Sequence, residues 1–200
     1  DERKNRSEYS IKFAMWLNHL GISLSIINRM RCRNTCVLLL CFLRCFFVFG
    51  QKNDSITVYI FLSETCPICQ SQTLELRNLY KDYAAKGIEF IGLFPNITLS
   101  NEATIHKFSR KYNIDFELRL DNAQKMKNQL SATHTPQVFV LRNVTGKVLY
   151  SGRIDNGFEG IGRRRQVTTE HYLKSALENI VQKIPVNPER TQAVGCFIVD

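Results

Sequence analysis

The sequence predicts an α/β fold in which a mixed central β-sheet is flanked by helices on both faces. Three observations predict it. Strand-length runs of β-branched and aromatic residues alternate with segments of helical apolar spacing. A Cys-x-x-Cys, Cys66-Pro67-Ile68-Cys69, stands where the first run meets the first helical segment. The last two runs are separated only by a turn sequence, which makes them an antiparallel hairpin.

Residues 56–62 form the first buried strand, and Pro67 suits the first helical position, where its missing N–H costs nothing. Leu76, Leu79, Tyr80 and Tyr83 then share one helical face, and Gly87 takes the left-handed cap. Residues 88–94 are a second strand, closed by Pro95-Asn96. Ile105, Phe108 and Tyr112 mark a second helix, followed by a short strand at 116–120. Asp121 caps a third helix running to Leu130. Thr133-His134-Thr135-Pro136 leads into a strand at 137–141, a turn at 143–146 and a returning strand at 147–152. A Gly-rich loop at 156–165 precedes a last helix striped by Leu173, Leu177, Ile180 and Ile184. The order is β-α-β-α-β-α-β-β-α, ending in an irregular tail over residues 185–200 that carries Cys196.

Two hundred residues, 44% of them hydrophobic, accommodate one ordinary domain, here residues 51–184, with a real core. The net charge is +9, but residues 1–50 carry +5 of it. The later part has no basic stripe interleaved with aromatics, which argues against a nucleic-acid partner. The seven cysteines divide likewise: Cys32, Cys36, Cys41 and Cys45 lie in or beside an apolar leader, and Cys66, Cys69 and Cys196 belong to the folded part. An odd number there disfavours a closed disulfide framework and fits a reactive pair with one further thiol.

The leader spans residues 30–50, with a basic start at Met30-Arg31-Cys32-Arg33, an apolar stretch and a Val48-x-Gly50 ending. This is the pattern of a secretory signal peptide, with Gln51 as the mature N-terminus. The alternative is an uncleaved N-terminal anchor, the only membrane association expected. Residues 1–29 fit an upstream extension of the reading frame, with Met30 as the start. The domain is then secreted or periplasmic, or membrane-anchored but outside the cytosol, where cysteine pairs cycle oxidatively.

At a strand-to-helix junction, unpaired N–H groups and the helix dipole favour a thiolate, so the Cys-x-x-Cys reads first as a redox pair and second as half of a metal site. With Thr135-Pro136 opening a later strand, these residues resemble the thioredoxin-like superfamily. Phe61-Leu62-Ser63-Glu64-Thr65-Cys66-Pro67-Ile68, Gly152-Arg153-Ile154-Asp155, Gly162-Arg163-Arg164-Arg165 and Ala193-Val194-Gly195-Cys196 are similar to the redoxin family. That family is grouped with alkyl hydroperoxide reductase and thiol-specific antioxidant proteins. There are departures. Thr65 stands where thioredoxins usually carry Trp. Tyr59 and Ser63 stand where peroxiredoxins show Pro and Thr. Cys69 stands where many redoxins have Ser.

The resemblance implies that Cys66 is the nucleophile and Cys69 the resolving thiol. It also implies that Pro136 is cis, turning the Thr135 backbone outward so that a substrate segment pairs with it as an added strand. Cys196 is either a third redox partner or an intermolecular or idle thiol. His134 either supports the Cys66 thiolate, serves as a third metal ligand with Cys66 and Cys69, or has neither role. His106 and His171 are expected on solvated helix faces. Arg163, Arg164 and Arg165 make a solvated basic loop or pair with Asp155 and Glu159.

The leading expectation is an extracytoplasmic thiol-disulfide oxidoreductase with no organic cofactor. Its expected partners are protein or small-molecule thiols and disulfides and a redox partner protein. The alternatives are a thiol peroxidase with Cys66 peroxidatic, a copper-binding or metallochaperone protein using Cys66, Cys69 and His134, and a binding module with inert cysteines.

Overall fold

The computed structural model describes residues 55–199. The leader expected over residues 30–50, the segment 1–29, Gln51 and the four leader cysteines lie outside the described residues. No helix among the described residues is long and apolar enough to cross a membrane.

In chain order the elements are β1 (Ile56–Phe61), α1 (Pro67–Ala84), β2 (Ile88–Phe94), α2 (Glu102–Tyr112) and β3 (Glu117–Leu120). A 3-10 turn (Asn122–Gln124), α3 (Lys125–Leu130), β4 (His134–Thr135), β5 (Gln137–Arg142) and β6 (Lys147–Gly152) follow. Last come β7 (Phe158–Gly160), β8 (Arg163–Arg164), α4 (Tyr172–Val181) and β9 (Cys196–Phe197). The main sheet has the order β3-β2-β1-β5-β6. β1 pairs parallel with β2, and β2 with β3, whereas β5 runs antiparallel to both β1 and β6. The mixed sheet expected from the sequence is therefore the one observed.

Its two faces follow from the pleat, which sends successive side chains to opposite sides. Val58, Ile60, Phe90, Val138, Val140 and Tyr150 enter one cluster, covered by Leu76 and Leu79 of α1, Ile105 and Phe108 of α2, and Leu173 and Leu177 of α4. The alternate residues Phe61, Ile91, Leu93, Phe139 and Leu141 form a second cluster, against which Met126 and Leu130 of α3 and Ile198 of the tail pack. Because both faces are buried, the central strands read as continuous apolar runs.

The structure corrects three local expectations. The third helix begins only at Lys125, because Ala123 and Gln124 adopt left-handed backbone angles. Asp121 still caps it from a distance, its carboxylate accepting from the N–H groups of Met126 (2.9 Å) and Lys127 (2.8 Å). The last helix stops at Val181, so Ile184 lies beyond it and is half exposed. The segment 156–165 is not simple loop but holds the small β7–β8 ladder.

The tail expected to be irregular has little regular structure, yet it is built into the domain. Ser151 N–H donates to Glu189 O and Thr191 N–H to Ser151 O, both at 2.9 Å. The buried Tyr150 hydroxyl donates to Arg153 O (2.6 Å) and bonds Thr191 Oγ1 (2.7 Å). Burial pushes the pKa of that phenol up to about 12, so it stays a donor. Gly152 permits this approach: a Cβ there would collide with the Thr191 backbone.

Candidate active site

Cys66 is the N-cap of α1, with extended backbone and Pro67 at the first helical position. Its side chain is therefore presented to the free N–H groups of the first turn rather than to a helix flank. The preceding loop is held by Glu64, whose carboxylate accepts from Ser100 Oγ (2.6 Å) and Thr104 Oγ1 (2.5 Å) at the start of α2. Gln70 Nε2 donates to Glu64 O at 2.7 Å. Within the same loop Ser63 Oγ and Thr65 Oγ1 lie 3.1 Å apart. Thus β1, α1 and α2 together fix the position of Cys66.

Opposite it stands the Thr135-Pro136 peptide, which is cis. A second cis bond, Asn187-Pro188, lies in the tail. Cys66 Sγ is 3.2 Å from the carbonyl oxygen of Thr135. Cys196 Sγ is 3.1 Å from Cys66 Sγ, with the Cys196 thiol as donor. All three cysteines are free thiols.

The thiols are electrostatically unequal. The pKa of Cys66 is lowered to about 5, chiefly by the Cys69 thiol donating to it; burial opposes this, while the Cys69 N–H and the thiol and N–H of Cys196 add to it. Cys69 is raised well above the thiol range, first by complete burial and then by its hydrogen bond to Cys66 and the Cys66 charge. Cys196 is raised to about 11, first by burial and then by its contact with Cys66. Of the three, Cys66 is the thiol that ionises first, and its two sulfur neighbours keep their protons when it does.

The structure differs from expectation at the strand-accepting edge. Thr135 is fully buried, and its edge is already paired: β4 and β9 run antiparallel, with His134 opposite Phe197 and Thr135 opposite Cys196. Ile198 N–H donates to Thr133 O at 3.0 Å, extending the ladder. Gly195 makes the approach feasible, since a Cβ there would overlap the Thr135 carbonyl. The segment is held beyond β9 by Gln124 Nε2 donating to Val199 O (2.6 Å) and by Val199 N–H donating to Asn96 Oδ1 (3.3 Å). Cys66, the expected nucleophile, is consequently only 1% exposed.

His134 does not complete a metal set. Its ring lies tilted against Phe197 with centroids 4.6 Å apart, and Nδ1 lies 2.8 Å from Thr133 Oγ1. Burial lowers its pKa, so the ring is neutral near neutral pH. Among the described residues no group of three or more His, Cys, Asp or Glu is placed to hold a metal ion. His106 is exposed, and His171 approaches Glu75 at 3.4 Å. Arg165 pairs with Glu159 at 3.1 Å, but Asp155 instead accepts from Gln72 Nε2 (2.7 Å) and Gly157 N–H (2.8 Å). Glu64 and Gln72 escaped sequence reasoning. Each acts through a partner more than thirty positions away, and no local pattern signals such a pairing.

The fold is similar to that of an uncharacterized conserved protein from Geobacillus kaustophilus, with a TM-score of 0.64 and 22% identity over 72% of this chain and 77% of that chain. A hypothetical protein from Sinorhizobium meliloti 1021 matches with a TM-score of 0.64 and 20% identity over 74% and 80% of the two chains. A thioredoxin-like protein solved in its oxidized form matches with a TM-score of 0.51 and 11% identity over 66% and 81%. At these identities the likeness is one of fold. No curated protein matches the chain. The AhpC/TSA family model matches residues 49–150, a span that contains both Cys66 and Cys69 and the Thr135-Pro136 peptide and stops before the tail. The chain has a thioredoxin-like fold and belongs to the AhpC/TSA family.

Proposed function

We propose that this protein is a thiol-disulfide oxidoreductase in which Cys66 is the nucleophile and Cys69 the resolving thiol. One observation carries the reading: two thiols at the start of one helix have pKa values driven in opposite directions, Cys66 down to about 5 and Cys69 upward. In the reducing direction the Cys66 thiolate attacks one sulfur of a substrate disulfide. The S–S bond breaks, one substrate half leaves as a thiolate and takes a proton, and Cys66 enters a mixed disulfide. Forming that bond removes the charge that helped hold the Cys69 proton. Cys69 then loses its proton and attacks the Cys66 sulfur, releasing the second substrate half as a thiol. The substrate gains two electrons and two protons, and the protein retains a Cys66–Cys69 disulfide that a partner dithiol reduces by the reverse exchange.

No organic cofactor enters these steps. An extended substrate segment pairs with the Thr135 edge beside Pro136 after displacing β9. The leader pattern over residues 30–50 supports a secreted or periplasmic location, or an anchored domain outside the cytosol. Insulin reduction by the purified protein tests the reading: Cys66→Ser abolishes turnover, and full activity in that variant refutes it.

Family membership favours a second reading, a thiol peroxidase in which Cys66 cleaves a peroxide O–O bond and becomes a sulfenate. Against it, Tyr59 packs on the face opposite the cluster that holds Cys66. Sulfenate trapping at Cys66 with stoichiometric peroxide supports this reading, and a rate no faster than that of a free thiol eliminates it.

A further inference from the structure

We propose that Cys196 is a second resolving thiol, delivered to Cys66 by a tail strand that binds as a substrate strand would. The inference rests on the oxidoreductase reading for the role of Cys66, and it adds a thiol lying outside the span that the family model matches.

Four features of the structure converge on it. The sulfur of Cys196 already touches that of Cys66, at 3.1 Å. A disulfide would need these atoms to close to about 2.05 Å, a movement of roughly one ångström. The strand that carries Cys196 pairs antiparallel with Thr135, the backbone edge beside the nucleophile. This is the geometry by which an extended peptide adds to a free sheet edge. Gly195 is set against the Thr135 carbonyl where no Cβ fits, so the close approach depends on the residue adjoining the thiol. The tail is clamped on both sides of Cys196, by Thr191 on Tyr150 and Arg153 and by Val199 between Asn96 and Gln124. That clamping distinguishes it from a loose end that passes by chance.

The chemistry balances without a further reactant. A disulfide substrate first converts Cys66 to a mixed disulfide, releasing one substrate half. Cys196 loses its proton, and its thiolate attacks the Cys66 sulfur. The Cys66–Cys196 bond forms, the Cys66–substrate bond breaks, and the second half leaves as a thiolate that takes up a proton. Burial does most to hold the Cys196 proton, but the Cys66 charge that adds to it in the resting state is absent in the mixed disulfide, which eases release of the proton when the thiol attacks. The consequence is accessibility. Cys69 is fully buried, so a partner cannot reach its sulfur, whereas Cys196 is only partly buried. A Cys66–Cys196 disulfide therefore presents the stored oxidising equivalent at the surface, where a partner dithiol attacks the Cys196 sulfur.

The test uses the full chain, reduced and then treated with equimolar glutathione disulfide, with peptide mapping under non-reducing conditions. Trypsin leaves Cys66 and Cys69 on the peptide 53–77 and Cys196 on the peptide 191–200, so the new bond appears as a linked pair. In Cys69→Ser the linked pair is expected in the monomer, with glutathione released and no lasting adduct. In wild type the same linked pair accompanies the Cys66–Cys69 disulfide, a measurement independent of how any variant folds. Cys196→Ser loses the linked pair and retains Cys66–Cys69. A stable glutathione adduct on Cys66 in Cys69→Ser, with Cys196 still free, overturns the proposal and leaves Cys66 as nucleophile intact. A bond between two chains instead of within one also overturns it. A Cys66 that never reacts in wild type refutes both this proposal and the oxidoreductase reading.

Discussion

Cys66 and Cys196 stand 130 positions apart in the chain, and their sulfur atoms are 3.1 Å apart in the fold. The contact exists because β9 lies along the Thr135 edge, and the same strand leaves Cys66 1% exposed. The resting site is therefore charged but closed: a thiolate is prepared at the helix N-terminus and covered by the chain's own tail. Under the proposed function, displacement of that strand opens the site to a substrate disulfide.

The charge on Cys66 is directly measurable. Thiolate absorbance of the reduced protein should rise with a midpoint at pH about 5. Cys69→Ala removes the largest cause of the lowering and shifts the midpoint upward by about one unit or more. The stability linkage has a definite sign. A thiol whose folded pKa is depressed contributes stability that is complete above its unfolded value, 9.0, and is lost as pH falls through the folded value, about 5. The reduced protein should lose stability on acidification across that window, and Cys66→Ser should not show this component. Parallel melting curves across pH for the two proteins would contradict the assignment.

Gly195→Ala tests the tail as a cover. The added Cβ meets the backbone of Thr135 and Pro136, which cannot rotate aside. Overpacking of this kind costs about 1–3 kcal/mol, which corresponds to a roughly 5- to 150-fold larger population with the strand open. Alkylation of Cys66 at neutral pH should accelerate by that factor, with the titration midpoint moving upward as the Cys196 donors are lost. An unchanged alkylation rate would show that β9 does not control access.

Tyr150→Phe removes the hydroxyl that joins β6 to the tail through Arg153 O and Thr191 Oγ1. Leaving buried polar partners unpaired costs about 1–3 kcal/mol. Urea denaturation should show this loss. Hydrogen exchange should show faster exchange of the Thr191 amide, which pairs with Ser151 O. Unaltered exchange at Thr191 would place the tail's anchorage elsewhere.

Asp121→Ala should destabilise α3 without touching the thiols. The buried carboxylate accepts from two first-turn N–H groups, and loss of such a cap costs about 0.5–2 kcal/mol. Amide exchange of Met126 and Lys127 should quicken, while the Cys66 titration remains where it was. A shifted midpoint would mean that the face covered by α3 is coupled to the site.

The parts of the site that were legible in the sequence are local ones. Cys66 and Cys69 are separated by one turn, Pro67 marks the helix start, and Thr135-Pro136 opens a strand of its own. The network around Glu64 was not legible, because its Ser100 and Thr104 partners belong to a different helix start. Nor was the position of β9, a strand of two residues in a segment with no periodicity. A two-residue strand carries no alternation to read, and its pairing is set by the complementary edge it meets. That the Thr135 edge is already paired with β9 could not be read from the sequence for this reason.

The sequence by itself determined the order of the five main-sheet strands and the four helices, and that successive residues of each strand enter opposite faces. Alternation of side chains is a property of the extended backbone, as Val58 and Ile60 against Phe61 illustrate. It also determined that a thiol sits at a helix N-terminus, because one short segment contains the strand, the Cys-x-x-Cys and the helix. Only the tertiary structure decided what surrounds that thiol. Burial of Cys69, the approach of the Thr135 carbonyl and the arrival of Cys196 depend on packing between segments far apart in the chain, where a missing Cβ at Gly195 determines whether two backbones can touch.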